Sequence, residues 1–196
     1  VTNAQFQAFI DDGGYANDAW WEEIQKEMPM PSDWQEANCP CETVLWFEAV
    51  AFCRWLSHRT GTTIRLPTEW EWQQAATGGD PKRKYPWVGE WEASRCNSAQ
   101  SRLKRTIAVG LYPSGATAHG VMDMAGNVWE WCLNNYDEPQ TPESLQIDIA
   151  PARRAIRGGG WNSSEPVSLG PSYRNGANPS YRFNLLGFRL AQDIDE

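Results

Sequence analysis

The chain has 196 residues with 25 acidic and 17 basic side chains, so its net charge at pH 7 is −8. An acidic chain does not neutralise phosphate groups, which argues against a nucleic-acid partner, and no apolar run approaches the roughly 20 residues of a membrane span. Twelve tryptophans, six phenylalanines and six tyrosines predict an aromatic, irregular core and not an aliphatic helical bundle. The length predicts a single domain over residues 1–196.

The first 66 residues predict two helices, a long loop and a short strand. Thr2 is placed to cap a helix over residues 3–10, whose apolar side chains lie on one face. Residues 15–42 contain proline runs and tryptophans, which favour a loop packed by its own aromatic side chains. Apolar side chains at helical spacing predict a second helix over residues 48–59, and a short strand follows over residues 62–66.

The chain after this strand begins with one more helix and then becomes irregular. Thr68 and Glu71 form the pattern of a capping box, which predicts a helix that continues to about residue 76. From residue 80 to residue 196 the chain is interrupted by Pro, Gly and Asn, and its apolar stretches are short. This pattern predicts an α+β domain in which two main helices pack beside small sheets with much ordered loop.

The cysteines predict reduced thiols and not a disulfide framework. Their number is odd, their spacing is uneven, and the Cys-Pro-Cys sequence at 39–41 is too short for a zinc-binding pair. Reduced thiols are typical of the cytosol, so a cytoplasmic location is expected. The five residues are Cys39, Cys41, Cys53, Cys96 and Cys132.

Six motifs follow one another along nearly the whole chain. They are VTNAQFQAF at 1–9, WFEAVAFCRWLS at 46–57, RLPTEWEW at 65–72, GVMDMAGNVWEW at 120–131, RGGGWN at 157–162 and GFRLA at 187–191. Together they resemble the formylglycine-generating-enzyme, or sulfatase-modifying-factor, family, whose members adopt a variant of the C-type lectin fold with small twisted antiparallel sheets. Family members carry one or two strands before the VTN motif, so the resemblance implies the C-terminal part of a longer polypeptide with other domains fused N-terminally.

The family that the sequence resembles includes two kinds of enzyme. The catalytic side chains that each of them uses are missing from this chain. The oxidase members use two cysteines between the GG(S/G)W and GFR motifs, whereas the last cysteine of this chain is Cys132. The sulfoxide synthases need a histidine cluster on non-haem iron, whereas this chain has only His58 and His119, both predicted on the surface. The sequence therefore predicts a protein that is not an enzyme. The alternatives are an oxidase or sulfoxide synthase with displaced catalytic residues, and a carbohydrate-binding or structural module.

The segment 162–186 resembles the variable region of the lectin-like variable proteins of diversity-generating retroelements. In those systems an error-prone reverse transcriptase alters adenines, which changes Asn codons to many others but never to codons for Lys, Gln, Glu, Met or Trp. The segment contains one residue of these five types, Glu165. Tyr, Phe, Ser, Gly and Asn dominate it, a composition typical of adaptable binding surfaces. The resemblance implies a ligand-binding protein whose partner is a macromolecule, with a protein as the expected kind.

The side chains of this segment that are free to vary are predicted to form the binding surface. Arg174, Pro179 and Arg182 are predicted to hold its backbone instead. Tyr181 and Phe183 have an alternative interpretation, in which they fill a second small core. The predicted ligand-binding residues are Ser163, Ser164, Val167, Ser168, Leu169, Gly170, Ser172, Tyr173, Asn175, Gly176, Ala177, Ser180, Tyr181, Phe183 and Leu185.

The resemblance also implies a calcium site, although no cofactor is expected to be required. Family members hold calcium in loops, and Asn127 and Glu130 of the GNVWE motif correspond to one such site, with oxygen atoms suited to the ion. An ordinary hydrogen-bonded turn is the alternative interpretation of these two residues. Four aromatic residues in the motifs are predicted to be buried scaffold: Trp129, Trp131, Trp161 and Phe188.

Overall fold

The computed structural model describes residues 1–138 and 145–193. Its helices are α1 (Asn3–Asp11), α2 (Trp46–Thr60) and α3 (Glu69–Thr77), and its strands are β1 (Ile64–Arg65), β2 (Trp129–Asn135), β3 (Arg154–Arg157), β4 (Asn175–Ala177), β5 (Leu186–Phe188) and β6 (Ala191–Gln192). None of the helices in these two ranges has the length and apolar character needed to cross a bilayer.

The helix ends follow from local sequence, as predicted. Thr2 and Gln5 form a capping box at the start of α1, and Thr68 and Glu71 form another at the start of α3. The helix α2 begins two residues before the predicted start, because the Glu48 carboxylate accepts a hydrogen bond from the Leu45 backbone N–H at 2.7 Å. It ends at Thr60, one residue after the predicted end, where Gly61 adopts the left-handed conformation.

The main sheet has four strands in the order β4-β3-β2-β5. The pairs β3–β4 and β2–β3 are antiparallel, whereas β5 runs parallel to β2, with Trp131 opposite Phe188. The prediction of purely antiparallel sheets is therefore wrong for this pair. A second sheet joins β1 to β6 in antiparallel register, so the end of the described chain returns to α2. The α+β class predicted from the sequence is confirmed.

Aromatic side chains build the main core between the helices and the sheet. Phe9 and Phe52 meet edge to face with 5.8 Å between ring centroids, and Phe52 meets Phe188 in the same way at 5.4 Å. The Trp131 indole is fully buried and donates its N–H to the Val44 carbonyl at 3.0 Å. As predicted, the core is aromatic, and its tryptophans find hydrogen-bond partners.

Candidate functional site

The segment 180–184 presents alternate side chains to solvent and to the interior. Tyr181 is 55% exposed and Phe183 is 43% exposed, and their rings meet edge to face at 5.9 Å. Arg182, between them, points inward and its side chain is 10% exposed. The alternative interpretation, in which Tyr181 and Phe183 fill a core, is therefore wrong.

The inward Arg182 ties the segment to α2. Its guanidinium donates to the buried Glu48 carboxylate at 2.5 Å and to the Thr43 carbonyl at 3.1 Å. Burial raises the pKa of Glu48 above its usual range, while hydrogen bonds from Tyr15 and Leu45 and the charge of Arg182 act in the opposite direction. The carboxylate thus has three donors, and the arginine fixes the backbone from which the two aromatic rings project.

Arg174 forms a second anchor at the start of β4. It donates to both oxygens of the buried Glu69 carboxylate at 2.8 Å, and its guanidinium lies 4.5 Å above the ring of Tyr136. Pro179 is also buried, and its carbonyl accepts the first N–H of α2 from Trp46 at 3.2 Å. These contacts place the three predicted anchor residues against α2, α3 and the end of β2.

Two further aromatic residues lie beside Asn184. Trp161 donates its indole N–H to the Asn184 carbonyl at 3.1 Å and meets Trp34 edge to face at 5.6 Å. The Asn184 amide donates to the exposed Asp33 carboxylate at 2.7 Å. Trp161 is less buried than the other three predicted scaffold residues: it is half-buried, and its ring packs against Trp34. We define the aromatic face as Trp34, Trp161, Tyr181 and Phe183, with Asp33 at its edge.

Three residues of the predicted ligand-binding set lie in the interior instead. Leu169 packs with Trp87 in a small core, and Gly170 and Ala177 are buried as well. Their side chains do not reach the surface, so their prediction as ligand contacts is corrected. The other members are exposed or half-buried: Ser163, Ser164, Val167, Ser168, Ser172, Tyr173, Asn175, Gly176, Ser180, Tyr181, Phe183 and Leu185.

The predicted scaffold residues other than Trp161 are buried, as expected. Trp129, Trp131 and Phe188 are all less than a tenth exposed. They lie on the neighbouring strands β2 and β5 of the main sheet.

Asn127 forms a buried hydrogen-bonded turn. Its side-chain oxygen accepts N–H groups from Asn97 and Ile107 at 3.1 and 3.0 Å, and its amide donates to the Ile107 carbonyl at 3.0 Å. Its φ of 66° is in the left-handed region, which asparagine tolerates. The preceding Gly126 is required, because a Cβ there would lie 2.2 Å from the Asn97 carbonyl oxygen. The side-chain oxygen of Asn127 therefore uses both of its lone pairs for protein donors and is not available to a cation.

Glu130 is likewise occupied by protein donors. Arg189 donates to its carboxylate at 2.5 and 2.9 Å, and the Trp72 indole N–H donates at 2.6 Å. The residues at the predicted calcium site therefore do not fit the ion, and they match the alternative interpretation of a hydrogen-bonded turn. Within residues 1–138 and 145–193, no three His, Cys, Asp or Glu side chains are grouped so as to hold a metal ion.

The histidines and cysteines are dispersed through the structure. His58 is exposed on α2, where it packs against Trp20, and His119 is exposed in a turn. All five cysteines are buried with free thiols, and burial raises the pKa of Cys41 and of Cys96 to about 12. These thiols are protonated at neutral pH, which makes them poor nucleophiles and poor metal ligands.

Sequence reasoning missed the part of the aromatic face that comes from the loop before α2. Trp34 and Asp33 were placed in a loop packed by its own aromatics, whereas they contact Trp161 and Asn184. The signal that could have found them is composition: Trp34 is an isolated tryptophan among polar residues, which is typical of a contact surface.

Comparison with known proteins shows strong similarity to named enzymes. The chain is 34% identical to a hercynine oxygenase of Mycobacterium tuberculosis over 99% of its own length and 51% of the oxygenase. Relatives of the same name from two Mycolicibacterium species are 31–32% identical. The chain thus spans about half the length of these curated relatives. They overturn the prediction that the chain is not an enzyme, which was based on missing cysteines and histidines.

Solved structures share the fold over the whole chain. PvdO from Pseudomonas aeruginosa has a TM-score of 0.79 with 25% identity, and the match covers 99% of this chain and 78% of PvdO. Variable protein 1 of Treponema denticola has a TM-score of 0.71 with 25% identity, and the match covers 97% of this chain and 81% of that protein.

The family assignment agrees with the motifs, the fold and these relatives. The model of the sulfatase-modifying factor enzyme 1-like domain matches residues 1–194. The chain therefore belongs to the formylglycine-generating-enzyme, or sulfatase-modifying-factor, family.

Proposed function

We propose that this chain is the substrate-binding part of an oxygenase of the hercynine oxygenase kind. The observation that carries the proposal is its 34% identity to such an enzyme over 99% of the chain. The described residues do not provide a metal centre, so the proposal assigns the ligands of any redox metal to residues outside this set. The chain contributes the surface that binds and orients the substrate.

The aromatic face suits a quaternary ammonium substrate. Hercynine carries a trimethylammonium group, and aromatic rings attract such cations through the negative faces of their π-systems. Tyr181 and Phe183 offer two exposed rings, and Trp34 and Trp161 lie beside Asn184. Asp33 adds a negative charge at the edge of the face, and no lysine or arginine is within 4 Å of its carboxylate among the described residues.

Fixed backbone geometry supports binding by these rings. The two exposed rings flank Arg182, which is held by Glu48, and Trp161 is held by its hydrogen bond to Asn184. Rings on an anchored backbone lose little conformational freedom when a substrate binds, which preserves affinity. The chemistry that this chain performs is therefore recognition and orientation of the cation.

Calorimetric titration tests the proposal through binding. Hercynine should bind about 5–30 times more tightly than histidine, which lacks the methyl groups, because a cation–π contact is worth about 1–2 kcal/mol. The double variant Tyr181→Ser, Phe183→Ser should lose this preference, whereas the control Leu111→Ser, at an exposed apolar residue elsewhere, should keep it. Equal binding of the two ligands would refute the proposed substrate class.

A measurement of oxygen consumption tests the proposed activity. The full-length polypeptide that contains this chain should consume oxygen when hercynine is added, and the double variant should do so at a lower rate. Hercynine-independent oxygen consumption, or none at all, would refute an oxygenase of this kind.

A second candidate function is binding of a macromolecular ligand by the same face. It is favoured by the outward side chains of the predicted variable segment on an inward-anchored backbone, in a fold shared with Treponema denticola variable protein 1. The gene neighbourhood tests it. A near-copy of the 3′ end of the gene that differs only at adenines, beside a reverse transcriptase gene, would support this candidate, and a neighbourhood without either would refute it.

A further inference from the structure

A basic cavity lies on the surface between two segments that do not include the aromatic face. It has a volume of about 480 Å³, and its walls are the loop 81–85 after α3 and the segment 167–173. This volume falls in the range of about 300–1,000 Å³ that is usual for small-molecule sites. The loop contributes Lys82, Arg83 and Lys84 in succession, although the chain as a whole has a net charge of −8.

The positive charge of this cavity is poorly neutralised by the protein. Within residues 1–138 and 145–193, Lys82 makes no ion pair, and Lys84 pairs with Glu90 only at 3.3 Å between two exposed side chains. Arg83 is 3.6 Å from Asp80, and its buried Nη1 atom has no hydrogen-bond partner in that part of the chain. Exposed pairs contribute little, and an unpartnered buried N–H group is costly. An anion in the cavity would neutralise the charges of Lys82 and Lys84, which the protein leaves exposed.

The walls of the cavity are held in place by packing. The ring of Tyr85 stacks on the buried Trp87 with 5.4 Å between centroids, and Tyr173 packs against Trp129 at 6.0 Å. The two walls approach each other closely at Gly170. A side chain there would not fit, because its Cβ would lie 2.9 Å from the Lys84 carbonyl oxygen. The cavity therefore presents two fixed aromatic rings beside three cationic side chains.

We propose that this cavity is a binding site for a small organic anion that carries a carboxylate or phosphate group on a planar ring. Lys82 and Lys84 bind the charged group, and the positive charge of Arg83 adds to the attraction. Tyr85 and Tyr173 contact the planar part, and the Ser172 hydroxyl offers one more hydrogen bond at the rim. The site is independent of the aromatic face.

Calorimetry with phenyl phosphate as the probe tests the site, with inorganic phosphate and phenol as the two partial ligands. Phenyl phosphate should bind at least about fivefold more tightly than either, because the cavity recognises both the charge and the ring. The double variant Lys82→Gln, Lys84→Gln should weaken its binding about tenfold or more. Both lysines are exposed, so the variant should melt at the temperature of the native protein.

The matched control removes two positive charges elsewhere. Arg102→Gln with Lys104→Gln changes the net charge by the same amount at two exposed residues that do not line the cavity, and it should leave the affinity unchanged. Phenyl phosphate that fails to bind, that binds no better than inorganic phosphate, or that is weakened equally by both double variants would overturn the proposal.

Discussion

Replacing Arg182 by methionine tests whether an inward arginine holds the aromatic face, because methionine keeps an apolar stem and removes the charge. In the native protein Glu48 is 1% exposed and accepts hydrogen bonds from Arg182, Tyr15 and Leu45. The variant leaves a buried carboxylate without its cation, which costs about 3–5 kcal/mol. In a chain of 196 residues each kcal/mol lowers Tm by about 2–4 °C, so we expect Tm to fall by about 6–20 °C.

The loss of unfolding free energy in Arg182→Met should also depend on pH, because it depends on whether Glu48 is ionised. Burial already raises the pKa of Glu48, and Arg182 opposes that rise, so the variant moves the folded-state pKa further above the unfolded value of about 4.3. A raised folded-state pKa stabilises the fold fully below the unfolded pKa, and this contribution is lost as the pH rises through the folded-state pKa. Relative to the native protein, Arg182→Met should therefore be more destabilised at pH 8 than at pH 5.

Urea unfolding followed by circular dichroism at pH 5 and pH 8 measures both effects. The matched control is Arg153→Met, which breaks an exposed pair with Asp137 and should change the free energy of unfolding by less than about 1 kcal/mol. If the two variants are destabilised equally, or if the loss in Arg182→Met does not grow with pH, Arg182 is not the anchor that its contacts indicate.

Three further predictions concern the core, the face and the thiols. Trp131→Ala should lower the free energy of unfolding by about 3–5 kcal/mol in urea, since the indole is fully buried; a loss below about 1 kcal/mol would contradict this. Tyr181→Ser with Phe183→Ser should change it by less than about 0.5 kcal/mol per site, because both rings are exposed, and a collapse of the fold would show that they are core. Burial raises the pKa of Cys41 and of Cys96 to about 12, so a thiol reagent at pH 8 should label them only after unfolding, and rapid labelling of the native protein would refute their burial.

The helices could be predicted from the sequence because their signals are local. The capping boxes that start α1 and α3 each lie within four residues, and the glycine that ends α2 directly follows its last turn. The pairing of the sheet could not be predicted, because β5 has only three residues and finds its place beside β2 through contacts that no local pattern encodes. Short apolar runs are consistent with several pairings.

The position of the candidate site could be predicted from the sequence, but the prediction was wrong for several of its residues. Tyr181 and Phe183 were predicted on the surface and Arg182 as a residue that holds the backbone, and the structure agrees because successive residues in an extended segment point to opposite sides. The burial of Leu169 depends on Trp87, which is 82 positions away, and the packing of Trp161 depends on Trp34. Such distant contacts are set by the complete fold, so the sequence of the segment alone does not reveal them.

The inward arginines have a consequence for how the chain folds during synthesis. Arg182 reaches Glu48 across 134 positions and Arg174 reaches Glu69 across 105 positions, so two acids that are buried in the complete fold lack these bonds until the last segment is made. Long-range contacts of this kind slow folding, because the loops must close before any contact forms. We therefore expect the domain to become stable only after nearly its whole length has been released from the ribosome, when Arg174 and Arg182 can reach α3 and α2.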